Sequence, residues 1–173
     1  MRPALLGFIA LALVAVPAAA QEKTKEPATP LTVEFLDLCE LYANGDVLAT
    51  TTATQRGWQA SETETDSIFV RSYDATKTIE GVGDVSLFAL IESYPLLTLG
   101  YCRIDIASPP SQIGVADLDT LERLTGDIEV TDTGTYGTWN GTEQGRDYLL
   151  LANQDEFGFG LQLTILDPVE GGH

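Results

Sequence analysis

The sequence predicts an α+β domain, a single antiparallel sheet of about five to six strands with two to three helices packed on it. Three observations predict it. Residues 157–165 read FGFGLQLTI, in which Phe157, Phe159, Leu161, Leu163 and Ile165 alternate with small or polar residues, the period of a strand with one apolar face. Apolar segments 84–93 and 96–107 are joined only by a short link around Tyr94-Pro95, and so short a link makes antiparallel neighbours. Phe35, Leu38, Cys39 and Tyr42 fall at i, i+3, i+4 and i+7, which places one apolar stripe on a helix.

The chain starts MRPALLGFIALALVAVPAAAQ. Arg2, the apolar run from Leu5 to Val16 and the small residues Ala18-Ala19-Ala20 have the order of a secretory leader, so residues 1–20 are expected to be cleaved on export. The apolar run is shorter than the roughly 20 residues a membrane-spanning helix needs. Residues 21–30, QEKTKEPATP, read as a polar linker, 31–168 as one globular domain, and 169–173 as a flexible tail.

Within the domain, the first helix is expected to be capped by Thr32 and stopped by Asn44-Gly45. A second helix is expected within 46–58 and a polar loop over QASETETDS, 59–67. SIFVRSY, 67–73, is rich in β-branched and aromatic residues, and EGVGD, 80–84, reads as a hairpin turn. DVSLFALIES, 84–93, is nearly all apolar, as in a central strand covered on both faces. After Pro109-Pro110, Leu118, Leu121 and Leu124 predict an amphipathic helix over 115–127 with Gly126 as its C-terminal cap and Asp117 at its start. One or two short strands are expected over 127–145, and a closing hairpin turns at Asp155-Glu156. The two hairpins around 87–104 and 148–165 echo one another, as any two generic hairpins do.

The net charge is −17, and loss of Arg2 with the leader makes it −18. Only Arg56, Arg71, Lys77, Arg103, Arg123 and Arg146 are basic beyond the linker, a balance that opposes binding to nucleic acid or anionic lipid and keeps an exported protein in solution. No segment after the leader is apolar enough to insert in a membrane. The single histidine is the terminal His173, so the Ser-His and Cys-His mechanisms lack a plausible base. The sequence carries no zinc motif, phosphate loop or EF-hand loop, and no cofactor is expected.

These absences favour a small exported binding or interaction module of the envelope or extracellular space, periplasmic in a bacterium, without catalytic machinery. Its partner would be another protein or an envelope component. The alternative is an enzyme working with carboxylates alone, such as a carbohydrate-active hydrolase, and the third reading is a calcium-dependent envelope protein. A binding face is expected at the TYGTWNGT segment, with Tyr136 and Trp139 as its aromatics, because the glycine-rich setting suggests exposure. The two cysteines, Cys39 in the helix stripe and Cys102 on an apolar strand face, are expected to pair, because both faces need cover and export leads to where disulfides persist.

Overall fold

The computed structural model describes residues 29–108, 112–121 and 123–169. The leader, most of the linker and all but the first residue of the expected tail lie outside the described residues.

Thr29 caps the first helix, α1 (Pro30–Ala43), by accepting the Thr32 amide at 3.3 Å, with Pro30 pre-set for the first turn. Thr32, the expected cap, lies inside the helix and is buried. Asn44 ends α1, and Gly45 at φ +71° takes the left-handed turn beyond it. A short α2 (Ala49–Gln55) follows, and Trp58 then leads into the sheet.

The sheet has eight strands: β1 (Gln59–Thr63), β2 (Val70–Ile79), β3 (Gly83–Ser93), β4 (Leu97–Ile106), β5 (Thr125–Val130), β6 (Gly134–Glu143), β7 (Arg146–Asp155) and β8 (Gly158–Pro168). Their order across the sheet is β1-β2-β3-β4-β8-β7-β6-β5, and every neighbouring pair is antiparallel. Two four-stranded meanders therefore meet at their last strands, β4 and β8. Tight turns fix the registers. The β2–β3 turn carries Gly81 and Gly83 at positive φ, and the two-residue β6–β7 loop places Gln144 and Gly145 there.

This corrects the expected architecture. The sheet is larger than five to six strands, and helix is scarce among the described residues: beyond α1 there are seven residues in α2 and four in α3 (Val115–Leu118). The extra strands are its edges. β1, Gln59–Thr63, reads as loop in the sequence because it has no apolar alternation, and an exposed polar edge needs none. The helix expected over 115–127 ends at Leu118, and Gly126 sits in β5 opposite Trp139 instead of capping a helix. The leucines at spacing three instead ride on tight turns, in which Leu121 N donates to Leu118 O and Leu124 N to Leu121 O. Asp117 does act at the start of α3, accepting the Gly114 amide at 2.9 Å.

One face of the sheet carries the helices and the core. From β3 come Val85, Leu87, Ala89 and Ile91; from β4 Cys102, Ile104 and Ile106; from β8 Phe159, Leu161, Leu163 and Ile165. α1 lies over β4, β3 and β8 and buries Phe35, Leu38, Cys39 and Tyr42 against them. The Cys39–Cys102 disulfide, with Cα atoms 5.2 Å apart, ties the helix to the central strand. Gly100 lets the end of α1 sit directly on β4, since a β-carbon there would overlap the Ala43 carbonyl. Both tryptophans are tied to acids on the helical layer: Trp58 Nε1 donates to Glu34 at 3.2 Å and Trp139 Nε1 to Asp119 at 3.3 Å.

Candidate functional site

The opposite face of the sheet is open. Strand β3, read from its sequence as covered on both sides, alternates strictly: Val85, Leu87, Ala89 and Ile91 are buried, while Phe88 and Leu90 point the other way with no layer over them among the described residues. β4 and β7 behave alike. Leu97, Leu99 and Tyr101 of β4, and Leu149 and Leu151 of β7, alternate with core residues and face the open side.

Register assembles these side chains into rows, because paired residues on neighbouring strands share a face. One row runs Leu90–Tyr101–Thr164–Leu149 across β3, β4, β8 and β7. The next runs Glu92–Leu99–Leu166–Asp147, an apolar pair bracketed by two carboxylates. On the other side lies Phe88–Arg103–Gln162–Leu151, extended by Asp74 on β2 and by Thr138 and Asp127 beyond β7. Phe88 and Tyr101 meet edge to face with centroids 6.2 Å apart. Phe88 is 41%, Leu149 39% and Leu166 38% exposed, large values for apolar residues on inner strands of a sheet.

The strip continues over one end of the sheet. A hollow of about 580 Å³ lies between the β1–β2 loop and the β3–β4 turn, lined by Phe69, Val70, Glu92, Tyr94 and Pro95. Ile68 and Leu96 stand exposed beside it. The Tyr94 hydroxyl donates to Glu92, whose carboxylate holds the Tyr94 phenol above its ordinary pKa.

The charges on this face are one-sided. Arg103 is the only described base that register places there, and it is forked onto Asp105, with Nε at 2.8 Å and Nη2 at 2.6 Å from the carboxylate oxygens. Those hydrogen bonds raise the Arg103 pKa despite partial burial acting the other way. Asp74 and Asp147 are held by threonine hydroxyls, Thr63 at 2.6 Å and Thr142 at 2.8 Å. Arg56, Lys77, Arg123 and Arg146 pair with Asp37, Glu34, Glu40 and Asp167 on the helical side.

The two aromatics singled out from sequence come apart. Trp139 is 1% exposed on the helical face, and Tyr136, 38% exposed, lies on the open face. The glycines around Trp139 do not expose it. Gly137 and Gly126 leave room for its ring, which would overlap a β-carbon at either position. Tyr136 borders a shallow hollow of about 290 Å³ together with Arg103, Asn153 and Gln162. What sequence reasoning missed is the strip itself, although its signal was present: β3, β4 and β7 are apolar at both parities, and one sheet face can account for only half of that.

Among the described residues no three His, Cys, Asp or Glu gather closely enough to hold a metal ion, and no helix is long and apolar enough to cross a membrane. No protein-family profile, curated protein or solved structure matches the chain.

Proposed function

We propose that the chain is an exported, non-catalytic binding module that docks another protein on the open face of its sheet. One observation carries the reading: Phe88, Leu90, Leu99, Tyr101, Leu149, Leu151 and Leu166 gather in an apolar strip, interrupted by Thr164, Arg103 and Gln162, on a face without cover among the described residues. Exposed apolar surface gathered in this way marks interaction sites in soluble proteins, because water contact with it is unfavourable until a partner covers it. Export is supported by the leader-like N-terminus and by a disulfide of the sort that persists in oxidising compartments.

The test is site-specific photocrosslinking in the cell of origin. A photoreactive residue at Leu149 is expected to give a discrete protein adduct, and the same residue at Val33, exposed on the outer side of α1, is expected to give none. Adducts from Val33 alone, or from neither site, overturn the reading.

A further inference from the structure

The occupant of the open face is constrained by its charge pattern. We propose that the partner contributes a cationic amphipathic helix, lying along β4 and β8 with its apolar side on Leu99, Tyr101 and Leu166 and its lysines or arginines against Glu92 and Asp147. This rests on the docking role proposed above and names the chemistry of what docks.

Geometry and charge both point to it. Glu92 on β3 and Asp147 on β7 end the row that Leu99 and Leu166 fill, three strand spacings apart. At about 4.8 Å per spacing that is roughly 14 Å between the two acidic strands. A helix with its side chains is about 10–12 Å across. It therefore fits between the acids and brings residues on its two flanks within reach of them. Asp74 on β2 and Asp127 on β5 add acidic charge farther out, at the ends of the row that contains Phe88 and Leu151. Among the described residues none of these four carboxylates is in an ion pair, and the sole base on this face is occupied by Asp105. The protein's own cations thus leave the borders unneutralised. A second copy would set like charges against them, in a chain that already carries −17, so self-association on this face is disfavoured. The hollow at the end of the strip, beside Phe69 and Tyr94, gives the helix a place for one large apolar side chain.

The test is isothermal titration of the protein with a synthetic amphipathic helix of leucine and lysine, and with matched peptides carrying glutamine or glutamate in place of lysine. The lysine peptide is expected to bind at least about tenfold more tightly than the glutamine peptide at low ionic strength, with the advantage shrinking as salt is raised. The glutamate peptide is expected not to bind. A Glu92→Gln, Asp147→Asn variant should erase most of the advantage, and a Leu149→Gln, Leu166→Gln variant should weaken both peptides, each variant retaining the wild-type circular dichroism. Equal affinity for the lysine and glutamine peptides overturns the charge assignment alone. Unchanged affinity in the leucine variant overturns docking on this face altogether. A dimer in sedimentation that the leucine variant dissolves, or binding to phosphatidylcholine vesicles through the same leucines, replaces the helix with a second copy or a lipid surface and refutes the proposal.

Discussion

Replacing both members of the Cys39–Cys102 bridge with alanine isolates what the disulfide adds to the fold. The two cysteines are 63 positions apart and both side chains are fully buried between α1 and β4. Cross-linking a loop of that length removes chain entropy from the unfolded state, and the chain-entropy relation gives about 4 kcal/mol at 25 °C. A domain of about 140 residues has an unfolding entropy near 0.3 kcal/mol/K, so this loss lowers the melting midpoint by roughly 14 °C. The native contacts of Phe35, Leu38 and Tyr42 remain, so the variant should stay folded at room temperature with α1 in place. The assay is a thermal melt followed by far-ultraviolet circular dichroism, wild type against Cys39→Ala, Cys102→Ala, without reductant. A drop of less than about 3 °C, under a quarter of the expected shift, would refute the argument that this loop closure is a main support of the domain.

Other outcomes follow from the same packing. The Tyr42 hydroxyl is buried, makes no well-formed hydrogen bond among the described residues and is only loosely approached by the Thr50 side chain, so Tyr42→Phe should raise stability slightly, by under about 1 kcal/mol, in denaturant melts. Burial pushes the Tyr42 pKa above its ordinary 10.0, with Thr50 acting in the opposite sense, so the unfolded chain releases this proton before the folded one does. Stability should therefore fall as pH rises past 10, and Tyr42→Phe should flatten that part of the fall, which melts at pH 9 to 11 read directly. Gly100→Ala forces a methyl group into the Ala43 carbonyl and should cost about 3 kcal/mol, seen as a lowered urea midpoint. Trp139→Ala empties the core between α3 and β6 and should cost about 3–5 kcal/mol, whereas Tyr136→Ala on the open face should change the midpoint little.

Much of this was legible in the sequence where one physical demand dominated. β8 alternates because only its Phe159–Ile165 side meets the core, and α1 shows its stripe because it lies on the sheet by one flank. The cysteine pairing was readable because two apolar faces, each with one cysteine, had to meet. The misreadings arose where two demands produce the same pattern. Leu118, Leu121 and Leu124 suit a helix and a run of tight turns equally well, and only the pairing of Gly126 with Trp139 decides between them. Glycines beside Trp139 signal exposure or room for a buried ring. The polar edge β1 has nothing to alternate. In β3, doubly apolar sequence predicts double cover, since burial is the usual cause of such a pattern. A strand whose outer residues await a partner is written the same way, and Phe88 and Leu90 are that case.

The central claim, that the open face of the sheet is where this protein meets its partner, is tested most directly by methyl nuclear magnetic resonance during titration with the leucine–lysine helix. The account predicts saturating shifts for the methyl groups of Leu90, Leu99, Leu149, Leu151 and Leu166, with Leu38, Leu118 and Leu161 on the helical side unmoved. Shifts confined to the helical side, or no saturating shift on the open face, would contradict it.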